Sequence, residues 1–345
     1  MTAPETRICV IEGDGIGREV IPAAVRVLEA TGLAFTAVRA EAGWECFRAC
    51  GTSLPAETVA AAAESDAILF GAVSSPSHRV EGYHSPIVAL RRELDLFANL
   101  RPARSRSLPA SRPDIDLLIA RENHEGLYVQ RERREEAQNG SVRAVAERVI
   151  TERGAIRIAR VACRLARQRR GHLTVVHKAN VLPETGGLFR EAVLAVAGDY
   201  DDLDVDELLV DAAALRLVID PKRFDVLVCP NLFGDILSDE AAGLVGGLGL
   251  APSANVGASR APALFEPVHG SAPDIAGRGI ANPIAAFLAV AMMLAHLGEE
   301  TRAELVREAV GIALREGPYT PDLGGEATTH QITNMVEFYV GERST

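Results

Sequence analysis

The sequence predicts an α/β fold of two domains, on the strength of three observations. Apolar runs of strand length alternate along the chain with amphipathic segments of helix length. The chain has 345 residues, more than a single hydrophobic core usually serves. Hydrophobic residues make up 48% of it and charged residues 24%, as in a globular enzyme. We therefore expect helices that connect strands, with reacting groups at the ends of the strands.

The amino-terminal part shows this alternation most clearly. Strands are predicted at 7–11, 34–41 and 67–72, and helices at 18–31 and 55–65. Between the first strand and the first helix, glycines stand at positions 13, 15 and 17, which is not the G-x-G-x-x-G order of a dinucleotide-binding Rossmann turn. The pattern predicts a tight strand-to-helix turn and argues against a Rossmann fold.

The later elements are predicted from the same two patterns, apolar runs of strand length and amphipathic segments of helix length. They are a loop at 74–85, a helix from Pro86, a strand at 115–120, a hairpin or arm at 131–139, a helix at 150–168, a strand ending at Lys178, an acidic turn at 199–206, a strand at 224–229, a helix from Asn231, loops at 257–262 and 265–276, a helix at 283–297 and a last helix at 302–315.

Charge and hydropathy exclude several classes of protein. A net charge of −11 argues against nucleic acid as the main partner. Apolar runs are too short for a membrane span, and the amino terminus lacks a basic region before an apolar segment. We expect a cytoplasmic protein without a membrane partner. Its five cysteines are expected to be buried thiols and not a disulfide framework.

Lysine is scarce, and this makes one lysine notable. Of 36 basic residues only Lys178 and Lys222 are lysines. Arginine keeps its proton at working pH, whereas a lysine amine can be tuned to lose it. Lys222 follows a proline in a polar turn and is expected to be a surface charge. Lys178 ends an apolar strand, where α/β enzymes place reacting groups, and is a candidate for proton transfer.

Two aspartates mark the segment that follows the strand at 224–229. Asp235 and Asp239 are four residues apart in a helical pattern, so they share one helical face. Like charges at that spacing repel unless a cation lies between them, and Mg²⁺ prefers carboxylate oxygens. Two solvated surface acids are the alternative, but the apolar and glycine neighbours argue against it.

Three arginines stand at the ends of predicted elements. Arg91, Arg101 and Arg121 could bind the carboxylates of a di- or tricarboxylate, each by paired hydrogen bonds. In so arginine-rich a chain, ordinary surface charge remains an equal alternative at this stage.

Longer motifs resemble one enzyme family. They are Gly13–Gly17 in the glycine turn, R-E-N-H-E-G-L-Y at 121–128, H-K-A-N at 177–180, the segment 231–239, and E-P-V-H-G-S-A-P at 266–273. Together they are similar to the β-decarboxylating dehydrogenases, which comprise isocitrate, 3-isopropylmalate, homoisocitrate and tartrate dehydrogenases. The resemblance covers residues 7 to about 334.

The resemblance implies a two-domain α/β subunit of the isopropylmalate dehydrogenase type, with a large mixed sheet that is not a Rossmann fold. Residues 1–101 and 256–345 would form the first, cofactor-side domain, and residues 102–255 the second. It also implies a homodimer with shared active sites. Its order beyond a dimer is open. Lys178 and Asp211 would come from one subunit. Its partner would supply Asp235, Asp239, Tyr128 and the three arginines.

The resemblance also implies roles for the residues. Mg²⁺ or Mn²⁺ would be held by Asp211, Asp235 and Asp239. Substrate would be bound by Ser85, Arg91, Arg101, Arg121, Tyr128, Lys178 and Asn180. The catalytic residues would be Lys178, which removes the hydroxyl proton, Tyr128, which protonates carbon after loss of CO₂, and Asp211. The cofactor would be bound by Glu266, His269, Gly270, Ser271, Ala272, Pro273, Asp274, Ile275 and Asn282.

The cofactor and the substrate depend on two short segments. NADP-dependent members of the family resemble one another in a lysine and a tyrosine after the H-G-S-A-P motif, whereas this chain has Asp274 and Ile275, which implies NAD. The run from Ser85 to Arg91 resembles homoisocitrate dehydrogenases, which implies lysine biosynthesis through 2-aminoadipate. Val88 departs from the arginine of some bacterial members. The alternatives are therefore 3-isopropylmalate dehydrogenase of leucine biosynthesis and a broad isocitrate/homoisocitrate dehydrogenase.

Two unrelated functions are less consistent with the motifs. A catalytically inactive binding paralogue would be expected to lack at least one of Lys178, Tyr128, Asp235 or Asp239, and all four are present. A metal-dependent hydrolase would use paired aspartates and a lysine, but it would not need Asp274 in an adenosine loop.

Overall fold

The computed structural model describes residues 5–78, 80–136, 138–257 and 262–344. The strands are β1 (Thr6–Gly13), β2 (Phe35–Ala40), β3 (Ala67–Ala72), β4 (Ala98–Arg104), β5 (Asp116–Glu122), β6 (Glu132–Glu136), β7 (Val142–Ala146), β8 (His172–His177), β9 (Asp204–Leu209), β10 (Val226–Cys229), β11 (Pro252–Val256) and β12 (Ala263–Pro267). The helices are α1 (Gly17–Ala30), α2 (Trp44–Cys50), α3 (Ala56–Ala63), α4 (Pro86–Glu93), α5 (Glu152–Arg167), α6 (Pro183–Ala197), α7 (Val210–Ile219), α8 (Asn231–Leu244), α9 (Ile284–His296), α10 (Glu300–Glu316) and α11 (Thr329–Ser344).

The chain divides into two compact units. The first contains Met1–Leu96, Ser105–Pro113 and Ala242–Thr345, and the second contains Phe97–Arg104 and Asp114–Ala241. The two units are the parts of the chain that pack most closely within themselves. The domain boundaries implied by the family resemblance, after residues 101 and 255, stay a prediction.

The first unit has five strands in the order β2-β1-β3-β12-β11. β1 pairs in parallel with β2 and β3, and β12 pairs in parallel with β3, but β11 and β12 are antiparallel. Every residue of β3 is buried, which explains its uninterrupted apolar sequence. Helix α9 is buried along most of its length and packs on β11 and β12. The core of this unit therefore lies between α9 and the sheet.

The second unit also has five strands, in the order β4-β5-β10-β8-β9. β4 and β5 are antiparallel, and the other pairs are parallel. Helix α5 packs on β5, β8 and β10, with its buried side chains on one face. β6 and β7 form a separate two-stranded hairpin, as the charged segment at 131–139 predicted in part. The strands of this fold are mixed in direction, as predicted.

Several sequence predictions were wrong, mostly at elements fixed by tertiary contacts. The segment 265–276 was predicted to be a loop, but its first three residues belong to β12, whose neighbours on both sides supply its hydrogen bonds. The acidic segment 199–206 was predicted to be a turn, but β9 begins at Asp204. As the last strand of the order, β9 tolerates charged side chains.

The carboxyl-terminal prediction was also wrong, because α10 is followed by a further helix, α11. Ile332, Val336 and Val340 are buried at a spacing of four residues, which is the signal that predicts such a helix. Of the five cysteines, Cys50 is exposed and Cys46 is partly buried, so only three fit the predicted buried thiols. Residues 258–261 of the loop predicted at 257–262 lie outside the described residues. No helix in the described part of the chain is long and apolar enough to cross a membrane.

Candidate active site

Helix α8 carries the predicted aspartate pair on one face. An Asp235 oxygen, Oδ1, accepts a hydrogen bond from Arg121 Nη1, and Arg101 Nη1 lies 3.2 Å from the same oxygen. Arg101 Nη1 also donates to Asp239 Oδ1 at 3.1 Å. Two guanidinium groups therefore offset the repulsion between the carboxylates. We call these two aspartates and two arginines, together with Tyr128, the α8 cluster.

The register of β4 and β5 places the two arginines side by side. Arg121 is directly opposite Asn99, and Arg101 is two residues beyond Asn99 on the same strand. Side chains two residues apart point to the same face of a strand. Helix α8 approaches this face closely, because a Cβ atom on Gly234 would lie 2.7 Å from Arg121 Cβ. The glycine in N-L-F-G-D is thus required by packing.

Three further side chains hold the arginines, and the sequence analysis missed them. Asn231 Oδ1 accepts from Arg121 Nε at 2.9 Å and from Nη2 at 2.7 Å. Asn99 Oδ1 accepts from Arg101 Nε at 2.8 Å, and Ser238 Oγ accepts from Arg101 Nη1 at 2.8 Å. The signal for Asn99 was its spacing of two from Arg101 in a strand. Asn231 and Ser238 lie within the motif itself, where only the carboxylates had been considered.

Tyr128 lies in a short 3₁₀ turn, Leu127–Val129, and reaches the same cluster. Its hydroxyl donates to Asp235 Oδ2, and the Arg121 guanidinium carbon lies 4.9 Å from the centre of its ring. Burial, followed by the hydrogen bond to Asp235, raises the pKa of the Tyr128 hydroxyl above its usual value. The phenol therefore stays protonated at neutral pH and can donate a proton.

Lys178 and Asp211 form a second arrangement in the same unit. Lys178 directly follows β8, and Asp211 is the second residue of α7. The amine Nζ donates to Asp211 Oδ1 at 2.5 Å, and this bond lowers the pKa of the Asp211 carboxyl. Among the described residues, neither side chain hydrogen-bonds to the α8 cluster. Asn180, two residues after Lys178, is exposed.

The donor chemistry of Asp235 and Asp239 suits a hard divalent cation. Both are carboxylates one helical turn apart, with 28% and 53% of their side chains exposed. Burial raises the pKa of Asp239. Within the described part of one chain, however, no group of three acidic, histidine or cysteine side chains could hold a metal ion. The predicted triad with Asp211 is thus not assembled in one chain, and its sharing between subunits stays a prediction.

The first unit holds the other predicted arginine in a buried ion pair. Arg91, on α4, donates through Nη2 to Glu266 Oε1 at 2.7 Å, and Asn255 Nδ2 donates to the same oxygen at 2.8 Å. Arg91 and Glu266 are both buried. A residue predicted to bind substrate is therefore paired with one predicted to bind cofactor. Ser85 is at the N-cap position of α4 and is half-buried.

The predicted cofactor loop follows β12 and is hydrogen-bonded to the glycine turn. The backbone N–H of Ile16 donates to the Ser271 carbonyl at 2.9 Å, and a Cβ atom on Gly15 would lie 2.1 Å from that oxygen. Gly15 also has a φ of 53°, which favours glycine. The Ser74 hydroxyl donates to Ser271 Oγ at 2.7 Å. The glycine turn therefore serves to hold this loop.

Polar groups in the cofactor loop remain available to a ligand. His269 Nε2 is buried and has no hydrogen-bond partner among the described residues, and burial lowers the pKa of this imidazole. The Asp274 carboxylate is exposed. The Asn282 side chain forms hydrogen bonds within the protein: its Nδ2 donates to Asp322 at 3.0 Å, and its oxygen accepts from the Ile284 N–H at 3.1 Å. Of the other predicted residues, Gly270 and Pro273 are exposed, and Ala272 and Ile275 are half-buried. An unsatisfied imidazole nitrogen and an exposed carboxylate fit a nucleotide with hydroxyl groups to donate.

Comparison with known proteins gives consistent matches over nearly the whole chain. Residues 7–337 match the family model for isocitrate/isopropylmalate dehydrogenase. An isocitrate/homoisocitrate dehydrogenase of Thermus thermophilus is 57% identical over 96% of this chain and 97% of that protein. A 3-isopropylmalate/3-methylmalate dehydrogenase of Methanocaldococcus jannaschii is 49% identical over 97% of this chain and 99% of that protein.

A solved structure shows the same fold. The isocitrate dehydrogenase from Methylococcus capsulatus superposes with a TM-score of 0.93 and 42% identity, covering 97% of this chain and 99% of the other. This confirms the predicted fold class. The family implies a divalent metal ion and a nicotinamide cofactor. The chain therefore belongs to the isocitrate/isopropylmalate dehydrogenase family, and it is an oxidoreductase of the β-decarboxylating type.

Proposed function

We propose that this enzyme catalyses the oxidative decarboxylation of homoisocitrate to 2-oxoadipate, CO₂ and NADH, with Mg²⁺ or Mn²⁺. The observation that carries the reaction is the α8 cluster, in which two arginines and a protonated phenol surround Asp235. Such a site can bind a carboxylate and deliver a proton. The reaction would belong to lysine biosynthesis through 2-aminoadipate, in the cytoplasm.

The chain's own residues account for binding and proton transfer. Arg101 and Arg121 offer planar donors to the carboxylates of a 2-hydroxy acid. Lys178 takes the hydroxyl proton as hydride leaves for the nicotinamide, with Asp211 holding its amine. Tyr128 then protonates the carbon from which CO₂ has departed. The divalent ion, when bound by Asp235 and Asp239, would polarise the substrate hydroxyl and stabilise developing negative charge.

We also propose a homodimer in which Asp211 and Lys178 complete the partner's site. Two features support this proposal. The aspartate triad is absent from the described part of one chain. In addition, large apolar side chains are exposed on α7 and α8: Leu215, Val218, Ile219 and Ile236 are each 48–60% exposed. Burying such a surface against a second copy would stabilise the assembly.

The cofactor proposal is NAD. Asp274 is exposed in the loop fastened to the glycine turn, where it can accept hydrogen bonds from ribose hydroxyls. The same carboxylate would repel the 2′-phosphate of NADP. Turnover should therefore be much faster with NAD than with NADP at equal concentrations, and the choice between Mg²⁺ and Mn²⁺ is open.

The substrate proposal depends on helix α4 and on the relatives. The 57% identity to an isocitrate/homoisocitrate dehydrogenase exceeds the 49% identity to an isopropylmalate enzyme. Homoisocitrate has a third carboxylate, which would be costly to bury without a partner. His84, which is exposed, and the half-buried Ser85 could donate hydrogen bonds to this third carboxylate. Arg79 is a cation six residues before Ser85 in the sequence, and it lies outside the described residues.

One observation favours 3-isopropylmalate as a second candidate substrate. Ile87 and Val88 are half-buried on α4 and offer only apolar surface, which suits an isopropyl group. The choice of substrate is therefore made by the α4 region and not by the α8 cluster, which the two reactions would share.

Turnover of homoisocitrate, isocitrate and 3-isopropylmalate with NAD tests this proposal. We expect homoisocitrate to have the highest kcat/KM, side activity on one of the others, and loss of activity in excess EDTA. Val88→Arg should depress isopropylmalate activity most, because the added guanidinium would face an apolar group. Should the parent prefer 3-isopropylmalate by more than about tenfold, equivalent to roughly 1.4 kcal/mol of transition-state binding, the homoisocitrate assignment is wrong. Unchanged activity in EDTA would remove the metal from the reaction.

A further inference from the structure

The second unit contains a small cavity next to the first turn of α8. Its volume is about 90 Å³, and its walls are mainly apolar, with Leu127, Leu182 and Phe233 among them. Two side chains with polar ends also line it, Arg148 and Asn231. None of the predicted substrate, cofactor or metal residues lines this cavity, so the proposed reaction leaves it without a role.

Both polar side chains have an unsatisfied donor. Arg148 Nη2 and Asn231 Nδ2 are buried and have no hydrogen-bond partner among the described residues. The orientation of the Asn231 amide is fixed, because its oxygen accepts two hydrogen bonds from Arg121. A flipped amide would direct its NH₂ group at a guanidinium. Asn231 is fully buried, so its donor can be satisfied only from inside the protein.

The charge of Arg148 is also uncompensated. Its Nη1 donates to the Thr185 hydroxyl at 2.7 Å, and its guanidinium carbon lies 5.3 Å from the centre of the Phe233 ring. Among the described residues, no carboxylate forms an ion pair with it. Burial lowers the pKa of Arg148, which reflects the same lack of a counter-ion. Arg169, which is also half-buried, differs in having two carboxylates beside it, Asp116 and Asp225.

We propose that the cavity binds one small monovalent anion, which accepts hydrogen bonds from Arg148 Nη2 and Asn231 Nδ2. An anion needs only donors, and the cavity supplies two donors and a positive charge in otherwise apolar walls. A water molecule could accept both bonds, but its own hydrogens would then face apolar walls and its neutrality would leave the guanidinium unpaired. Halides and other small monovalent anions match this chemistry, whereas a bulky anion such as gluconate does not fit the volume.

The site has a consequence for Arg121 that rests on the proposed function. Asn231 joins the two, since its NH₂ group faces the anion while its oxygen holds the Arg121 guanidinium. A bound anion would fix the Asn231 amide and thereby position Arg121 for the substrate carboxylate. Replacing gluconate by chloride at constant ionic strength should lower KM for the substrate about two- to fivefold with little change in kcat. If chloride left the KM unchanged, the proposed positioning of Arg121 would be wrong. The anion site itself would then be decided by the structural experiment below.

Crystals of the full-length protein grown or soaked in bromide test the site without any assay of activity. We expect an anomalous bromide peak within hydrogen-bonding reach of Arg148 Nη2 and Asn231 Nδ2. In Arg148→Met, which keeps the aliphatic stem but lacks the donor and the charge, the peak should vanish. Arg167→Met is the matched control, because Arg167 also lies over an aromatic ring, Tyr200, but does not line the cavity. This control should keep the peak.

A solution measurement checks the result outside the crystal. Chloride in place of gluconate should raise the melting temperature of the parent and of Arg167→Met by about 2–4 °C and leave Arg148→Met unchanged. The proposal is overturned if the parent crystal shows only water in the cavity, if a carboxylate of a second copy occupies it, or if Arg148→Met responds to chloride like the parent. If Arg148→Met does not fold, the bromide peak in the parent decides the question.

Discussion

The two units hold their predicted substrate arginines in different ways. In the first unit, Arg91 and Glu266 form a pair whose side chains are 9% and 10% exposed. In the second unit, Arg101 and Arg121 share Asp235, whose side chain is 28% exposed. A carboxylate that is partly exposed can exchange an arginine for another cation without leaving a buried charge unpaired. A carboxylate that is almost entirely buried cannot. We therefore expect changes in the first unit to affect mainly stability, and changes in the second to affect mainly catalysis.

The largest effect is expected at Lys178, whose amine lies beside the Asp211 carboxylate. Lys178→Arg keeps the charge and can keep the bond to Asp211, but arginine cannot give up its proton at working pH. We expect a folded protein in which the rate of substrate oxidation falls about 100- to 10,000-fold. Steady-state NADH formation measures this. Lys222→Arg is the control and should leave the rate unchanged, and equal turnover of both variants would show that the scarcity of lysine was misleading.

The second prediction concerns the division of the site between two chains. Asp235→Asn removes a carboxylate that Arg101, Arg121 and Tyr128 share, and we expect it to be nearly inactive with weakened metal binding. If the sites are shared, a dimer of one Lys178→Arg chain and one Asp235→Asn chain has one site with both substitutions and one site with neither. An equal mixture that exchanges subunits should thus regain about a quarter of parental activity. A mixture as inactive as its components would contradict the shared site.

The sequence predicted which residues matter far better than it predicted their partners. Asp235 and Asp239 were placed on one helical face, and α8 does place them there. The sequence offered a metal ion as the cation between them, whereas in the structure the positive groups beside these carboxylates are Arg101 and Arg121. These arginines reach α8 only through the register of β4 and β5, which is set by strand pairing and not by any local pattern.

The same limit explains the missed and misplaced elements. The end of β12 contains Glu266 and Pro267, residues that favour a loop when they are considered alone. It becomes a strand because β3 and β11 lie on either side of it. In addition, Arg91 pairs with the buried Glu266 carboxylate and Asn255 donates a hydrogen bond to it. Long apolar runs such as β3 and α9 were predicted well, since burial alone decides their structure.

The third prediction tests the buried ion pair of the first unit, Arg91 with Glu266. Glu266→Gln removes the negative charge that pairs with the buried Arg91 guanidinium, so we expect the free energy of unfolding to fall by about 3 kcal/mol. Glu337→Gln in the same unit is the matched control. It breaks an ion pair with Arg26 in which both side chains are 37% exposed, so its cost should be at most about 1 kcal/mol. Urea unfolding measures both variants. An equal loss of unfolding free energy in the two would contradict the distinction between buried and partly exposed ion pairs.

The last prediction compares Glu266 with a buried carboxyl of the second unit, Glu122, which forms no ion pair with an arginine in the described part of the chain. Glu122 ends β5 and is 2% exposed, and its oxygens accept from the backbone N–H groups of His124 at 2.9 Å and Glu125 at 2.8 Å. Burial raises the pKa of Glu122 from 4.5 to about 7. Because the pKa in the folded protein is the higher one, the stability contributed by this group is complete below pH 4.5. It is lost progressively as the pH rises toward 7.

Glu122→Gln removes this titration, since glutamine is neutral at every pH and its amide oxygen can still accept a backbone hydrogen bond. Relative to the parent, the variant should therefore gain about 1–3 kcal/mol in unfolding free energy between pH 5 and pH 8. Urea unfolding of both proteins across that range measures the difference. Glu57→Gln, at an exposed position on α3, controls for the loss of a charge and should show a constant offset. If the parent and Glu122→Gln curves run parallel, the buried carboxyl does not titrate in this range, and an arginine is not needed to keep a buried glutamate charged in this protein.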